Sequence, residues 1–468
     1  MNPMPCRTVS LALLLSLAGC AVGPAYQRPA FTAPLAYQQA AGWVVAAPSD
    51  ALDRGPWWAL FGDPLLDQLA AQVEVSNQNV AAAAAAYAQA RALLAEQRAA
   101  LFPVVSLNAG ASRSGSGDAN ISGSRASNSF QASIGASWEP DVWGRLRAAA
   151  SGAAASAEAS AADLASARLS AQGELAVAYM GLRQTDAQRV LLDDTIVGYE
   201  RSLQITRNRY AAGVAARTDV LQAETQLANA QADAIGLART RAQFEHAIAV
   251  LVGKTPAEFN IQPLADWRAT VPEVPVGVPS TLLQRRPDIA AAERRVAAAN
   301  AQIGIAQSAF YPSLSLSGSA GTSASQLSQL FNSSSLLWSL GVSAVQTLFD
   351  AGATRERVNA ASAANDQAVA LYRQTVLTAF QNVEDQLAAT RVLTQQEALR
   401  RQAADAAAQV QAQVQRRYEA GQVSYTEVVT AQAAALSARR ALVQLMADRQ
   451  TTAVALIQAL GGGWHAPD

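Results

Sequence analysis

Lysine is almost missing from this 468-residue chain; Lys254 is the single one, and the basic side of the balance is otherwise arginine. Cysteine occurs only at Cys6 and Cys20, and histidine only at His246 and His465. With so few and such widely spaced thiols and imidazoles, a disulfide scaffold, a Cys/His zinc site and a Ser-His-Asp hydrolase all lack their parts. Aromatic residues make up 6% and charged residues 15% of the chain. Thirty-five basic against thirty-six acidic side chains leave a net charge of −1, so no broad positive field for nucleic acid follows. Beyond the N-terminus there is also no apolar run of about eighteen residues, the length a helix needs to cross a bilayer. The alanine run at 81–86 meets Gln89 and Arg91, and 247–252 is only a short patch. Any crossing must be made by strands.

What is present is alanine. Half of the residues are hydrophobic, and the alanines dominating that half bury little area each but are the best helix formers. The composition favours long, closely packed helices over a sandwich, a doubly wound sheet or a TIM barrel. It is too apolar and too weakly charged for a disordered chain.

The N-terminus reads as an address. Arg7 and the free amine precede an apolar stretch at 9–17, then Leu17-Ala18-Gly19-Cys20. The stretch is too short to span a bilayer and has the layout of a bacterial secretory signal. Leucine, two small residues and cysteine resemble a lipobox. The expectation is a signal peptide over 1–19 and a mature chain starting at Cys20, which carries S-diacylglycerol and an N-palmitoyl chain. The alternative is an ordinary leader in which Cys20 is incidental. Ala21 stands where an aspartate would retain a lipoprotein at the inner membrane, so the outer membrane is expected. Several acyl chains on one residue anchor stably, whereas one is marginal.

The two halves repeat each other at an offset of about 208 residues. Ala100-Leu101-Phe102-Pro103 matches Ala309-Phe310-Tyr311-Pro312. Arg209-Tyr210-Ala211-Ala212-Gly213 matches Arg417-Tyr418-Glu419-Ala420-Gly421, Thr218-Asp219-Val220-Leu221 matches Thr426-Glu427-Val428-Val429, and Leu251-Val252-Gly253 matches Ala459-Leu460-Gly461. The expected boundaries are a lipid-anchored segment at 20–63, a first repeat at 64–270, a second at 271–463 and a tail at 464–468. Within the first half, 65–101 reads as one helix ended by Pro103. Period-two stretches follow: Phe130, Ala132, Ile134, Ala136 and Trp138 alternate with small polar residues, and 314–320 and 338–344 do the same against serines and glycines. Ser/Gly/Asn-rich loops at 112–128 and 322–335 join the strands of each pair. Very long helical runs cover 145–211 and 354–419, rods of about 100 Å at 1.5 Å per residue. Return helices are expected over 218–252 and 426–460.

These elements constrain one another. Strands of about ten residues cross a bilayer when tilted, yet four of them cannot close a barrel that needs about eight. An open sheet edge is not tolerated in lipid. Three chains would supply twelve strands and leave a lumen. The fold class expected is therefore α+β, mostly α: a long antiparallel helical bundle or coiled-coil tube, with four transmembrane strands per chain closing a twelve-stranded barrel as a homotrimer. The alternative is a soluble α+β protein whose hairpins cover a core.

At this point the residues resemble the TolC-like outer-membrane efflux proteins, in the lipoprotein branch called NodT-like. The resemblance runs from Cys20 to about Gly463. It is carried by Cys20-Ala21-Val22-Gly23-Pro24-Ala25-Tyr26, Trp57-Trp58-Ala59-Leu60-Phe61-Gly62-Asp63-Pro64, Glu139-Pro140-Asp141-Val142-Trp143-Gly144-Arg145 and Leu282-Leu283-Gln284-Arg285-Arg286-Pro287-Asp288-Ile289. It implies a homotrimeric exit duct, without catalysis or cofactor, docked onto a periplasmic adaptor and a proton-driven inner-membrane pump of the resistance-nodulation-division type. Drugs, solvents or metals would pass outward. A type I protein-secretion duct and a non-pore periplasmic scaffold lipoprotein are the competing readings.

The single motifs divide between structure and function. Arg285-Arg286-Pro287-Asp288 reads as a helix start, with proline in the first turn and aspartate complementing the dipole. Trp57 and Trp58 are expected to pack the N-terminal segment, and Trp138, Trp143 and Trp338 to sit at the membrane interface. Gly213 and Gly421 mark tight turns at the far periplasmic helix tips, either plain caps or the adaptor-docking gate. The resemblance places lumen-facing acids after the second tip, at the positions of Glu427 and Thr430; the first is acidic and the second is not. Register makes Asp219 equivalent to Glu427 and Tyr210 equivalent to Tyr418. The expected latch is a Tyr418 hydroxyl donating to Asp219 or Thr218 of a neighbouring tip.

Overall fold

A computed structural model describes residues 22–34, 36–39, 56–115, 126–274 and 285–464. The leader, Cys20 and positions 465–468 lie outside the described residues, as do Leu282, Leu283 and Gln284. Eleven elements follow in order: α1 Pro64–Ser76, α2 Gln78–Ala99, β1 Val104–Ser114, β2 Ser127–Trp138, α3 Arg145–Ala211, α4 Arg217–Leu251, α5 Pro287–Ser308, β3 Ser313–Ala324, β4 Leu336–Val345, α6 Ala353–Glu419 and α7 Tyr425–Ala459. The duplication is visible in their lengths. Helices α2 and α5 have 22 residues each, α3 and α6 have 67, and α4 and α7 have 35. Among the described residues no helix is long and apolar enough to cross a membrane.

The helix expected over 65–101 is in fact two. Asn77 stands between α1 and α2 in extended conformation. Its Oδ1 accepts from the amides of Asn79 at 2.9 Å and Val80 at 3.1 Å, and its Nδ2 donates to the Leu251 carbonyl at 2.8 Å. A short polar side chain that satisfies helix-start amides competes with continuing the helix. Helix α1 starts the same way: Asp63 Oδ1 accepts from Leu65 at 3.0 Å and Leu66 at 3.3 Å, with Pro64 at the first helical position.

The four strands form one antiparallel sheet in the order β1-β2-β3-β4, so β1 and β4 are its edges. The register pairs Leu107 with Ile134, Ile134 with Ala320 and Ala320 with Trp338. That alignment places every apolar residue of the alternation on one face. The opposite face aligns Ser133 with Asn108 and Gly321, and Ser319 with Gly135 and Ser339. The period of two in sequence thus becomes two chemically distinct walls.

Space does not divide the chain as the duplication does. Two compact units form, and each draws on both halves: one holds the described residues within 1–30, 86–160 and 291–373, the other those within 31–85, 161–290 and 374–468. The first contains the sheet. The second has the main core, where Leu66, Leu175, Tyr179, Ile248, Leu387 and Val454 are fully buried around Trp57 and Trp58. Each such leucine contributes about 2 kcal/mol. Trp57 donates to Gln172 Oε1 at 3.3 Å and meets Trp58 and Phe61 edge-on, the packing role expected of it. Beside it, buried Asp186 takes Arg241 Nε at 2.7 Å and Arg183 Nη1 at 3.1 Å, while Arg183 and Arg241 also bond the carbonyls of Gln262 and Ile261. A buried carboxylate with two guanidiniums is tolerated only when every donor is placed, and here the donors fasten the loop after α4.

Candidate functional site

Three places carry functional geometry: the sheet, the junction where its strands meet the helices, and the two helix tips. In the protomer Leu107, Ile134, Trp338, Leu340 and Val342 are all exposed on the apolar face. A sheet with an uncovered apolar wall and two free edges has no stable place in water. The strands are 10 to 12 residues long, the length a tilted strand needs to cross a membrane. Their polar face consists of serine, glycine, asparagine and glutamine, closed by Val104, Leu337 and Val345, with no ionisable residue.

The junction is built from caps. Asp141 accepts the amides of Leu146 at 2.9 Å and Arg147 at 2.8 Å at the start of α3. Asp350 accepts the amide of Thr354 at 2.7 Å and its hydroxyl at 2.6 Å at the start of α6. These bonds to its charged form hold the Asp350 carboxyl below the usual carboxylate range. Trp143 stacks on Tyr311 at 4.8 Å and donates to the Pro312 carbonyl at 2.7 Å; Trp138 donates to the Leu101 carbonyl at 3.0 Å. Both indoles sit where the strands end, as expected, and Trp338 is exposed on the apolar wall. The N-terminal segment is fastened to the same unit. The Val22 amide donates to the Trp143 carbonyl at 3.0 Å, Asn300 Nδ2 to the Pro24 carbonyl at 3.0 Å, and the Tyr26 hydroxyl to Glu293. Burial first, then the bond to Glu293, drives the Tyr26 phenol well above its ordinary pKa.

Arg286 confirms the helix-start reading of its motif. Its guanidinium forks onto Asp288 at 3.0 and 2.7 Å and donates to the Ala459 carbonyl at 2.9 Å, with Pro287 opening α5.

The tips are two Schellman turns. Gly213 (φ 74°) donates to Tyr210 and Val214 to Arg209, each at 2.9 Å; Gly421 (φ 77°) donates to Tyr418 at 2.9 Å and Gln422 to Arg417 at 2.8 Å. Glycine makes the left-handed position free of strain in both. The two tyrosines before these turns are not equivalent in space. Tyr210 is 45% exposed, whereas Tyr418 is 2% exposed, in a cluster with Leu203, Ala223, Tyr425 and Val428.

The Tyr418 partner also differs from the expected one. Its hydroxyl lies 3.1 Å from Thr206 Oγ1 in the same chain, not on Asp219 or Thr218. Thr206 spends its own proton on the Ser202 carbonyl at 2.9 Å, so Tyr418 is the donor. Arg209 completes the joint: its guanidinium covers the Tyr418 ring at 4.8 Å, and Nη1 donates to the Tyr418 carbonyl at 2.6 Å. The first tip therefore grips the second within one protomer. Thr206 and Arg209 were missed as partners. Arg209 stood in the repeated Arg-Tyr motif, but nothing in the spacing tells which of the two arginines turns inward.

Past the second tip, Glu427 is exposed, and its Oε1 lies 3.4 Å from the Ser424 amide that opens α7. Thr430, one turn on, is exposed and donates to the Thr426 carbonyl at 2.9 Å. Asp219 is half-buried in the first turn of α4. Burial, then the neighbouring Tyr418, Tyr199 and Asp219, pushes the Tyr425 phenol up to about 12.

The chain matches the model of the outer membrane efflux protein family in two blocks, residues 69–254 and 278–462, one in each half. The solvent efflux pump outer membrane protein SrpC of Pseudomonas putida is 33% identical over 98% of this chain and 99% of its own. The outer membrane protein OprJ of Pseudomonas aeruginosa is 31% identical, over 97% and 95%. Among solved structures, the outer-membrane channel OprN superposes with a TM-score of 0.88 at 32% identity, over 95% of this chain and all of that one. The open state of the Neisseria gonorrhoeae MtrE channel gives 0.83 at 29%, over 95% and 98%. The duplicated helices, the four-stranded amphipathic sheet and these matches over nearly the whole length lead to one conclusion: the chain belongs to the outer membrane efflux protein family.

Proposed function

We propose that this protein is the outer-membrane exit duct of a tripartite efflux pump, passing small solutes such as drugs or solvents to the outside. The observation that carries the reading is the sheet: apolar on one wall up to the Arg113–Asn128 pair at one rim, uncharged and hydrophilic on the other, and open at both edges. Three copies joined edge to edge would close twelve strands around an aqueous lumen. A periplasmic adaptor would bind at Gly213 and Gly421, and a resistance-nodulation-division pump would supply the energy, so no catalytic step belongs to this component. Relatives described as solvent and toluene efflux pump proteins support the solute class.

Cys20 is the proposed lipid attachment. Val22, two positions later, is hydrogen-bonded to the strand–helix junction, which supports an anchor at this end of the sheet. Intact-mass spectrometry of the mature protein should show a triacylated Cys20; an unmodified thiol would refute it.

Asp219, Tyr418, Glu427 and Thr430 form the proposed periplasmic gate. Under threefold symmetry Glu427 would give one ring of carboxylates facing the lumen, and Thr430 a neutral ring one turn on. The test of the whole reading is twofold. Purified protein in planar bilayers should conduct ions, and its gene should restore solvent or drug resistance to a strain whose own exit duct is deleted. Absence of conductance from intact oligomers would overturn it.

A further inference from the structure

The duplication supplies an internal control that exposes an asymmetry at the strand–helix junction. In the first half the junction arginines are neutralised: Arg145 forks onto Glu139 at 3.1 and 2.7 Å, and Arg147 Nε reaches Asp141 at 3.1 Å. In the second half Arg355 and Arg357 occupy the opening turns of α6 and are exposed. Neither forms an ion pair or hydrogen bond with a described residue. The acids nearby are engaged: Asp350 caps α6, and Glu356 holds Asn359 Nδ2 at 3.1 Å. Two cations at a helix start oppose the macrodipole, which favours negative charge there. Just before them, Leu348 and Phe349 are 92% and 88% exposed, more than any other large apolar side chain described. The register puts this segment at the same end of the sheet as exposed Phe102, Phe310 and Tyr311.

We infer that Leu348, Phe349, Arg355 and Arg357 form a surface for an acidic phospholipid of the periplasmic leaflet. The acyl chain would lie on the apolar pair and the phosphate against the Arg355 guanidinium, while Arg357, two positions on and so on another side of the helix, adds to the positive field at the headgroup layer. Two features argue for lipid as occupant. The apolar pair continues directly from β4, whose apolar wall is the membrane-facing one, and the charge beyond it is complementary to a phosphodiester. The inference rests on the barrel reading above, because only a membrane-embedded sheet puts this end at a headgroup layer.

The probe is a mixture of equal parts phosphatidylglycerol and phosphatidylethanolamine, from which the full-length protein is extracted in mild detergent and its retained lipid weighed by native mass spectrometry. Wild type should retain phosphatidylglycerol preferentially, and Arg355→Gln/Arg357→Gln should lower that preference about fivefold, given the attraction expected of basic residues at an anionic surface. Arg239→Gln, on α4, should leave it unchanged. A spin label at Leu348→Cys in proteoliposomes should be accessible to oxygen and shielded from a water-soluble nickel complex. Unchanged retention in the double variant, or a label shielded from both reagents because a second copy covers it, would overturn the inference. Wild-type conductance with lost lipid preference in the double variant would keep the duct reading separate from this surface.

Discussion

At the residue scale the tip joint is the most specific feature. Tyr418 contributes a buried hydroxyl donated to Thr206, a ring under Arg209 and a carbonyl that takes the Arg209 guanidinium. Tyr418→Phe removes only the first, worth about 1 kcal/mol. Arg209→Ala removes the other two, together about 2 to 3 kcal/mol. If this joint holds the tips shut, Arg209→Ala should raise single-channel conductance and sensitise cells to large antibiotics such as vancomycin more than Tyr418→Phe does. Glu427→Gln should instead reduce cation preference, read as a reversal-potential shift in a salt gradient, with the closed fraction little changed. Tyr425 sets a pH window. Its phenol stays neutral up to about 12 in the folded tip, against 10.0 in the open chain. Its contribution is therefore constant below 10 and lost as pH rises from 10 to 12, because only the unfolded state then releases the proton. Amide protection at the tips, taken relative to the base-catalysed intrinsic exchange rate, should fall over that range, and the fall should be absent in Tyr425→Phe. The tips show what one sequence tells and what it withholds. Gly213 and Gly421 were legible, since their turns are local. The partner of Tyr418 was not, because it depends on which face of α3 meets α6, and 212 positions separate Tyr418 from Thr206.

At the scale of elements, the long helices were readable almost to the residue because their signals are local: an unbroken helical run and the glycine, Gly213 or Gly421, that follows it. Residue 145–211 was the expected span of α3 and is the observed one. Asn77 was the exception, since its alanine-rich surroundings continue the helical period on both sides and only the side-chain bonds break it. The capping aspartates set a measurable expectation. Asp350→Ala should speed amide exchange over the first turn of α6, with the far end of that helix unaffected. Equal acceleration along the whole helix would show that the cap is not what fixes the start.

At the scale of the molecule, duplication and spatial division run across each other. Each sequence half supplies two strands to one sheet and a helical pair to the other unit. The strand alternation was legible, and with it the number of strands and the chemistry of the two walls. The spatial units were not, because they depend on where long helices pass from one packing environment to another without any change of period. The account depends on one structural shortage: β1 and β4 are edges, and an amphipathic sheet of four strands cannot close by itself. The most direct test is the mass of the purified protein in detergent by light scattering, with detergent subtracted. The account predicts a single species of three chains and no folded monomer on dilution; a stable, folded, monodisperse monomer would contradict it.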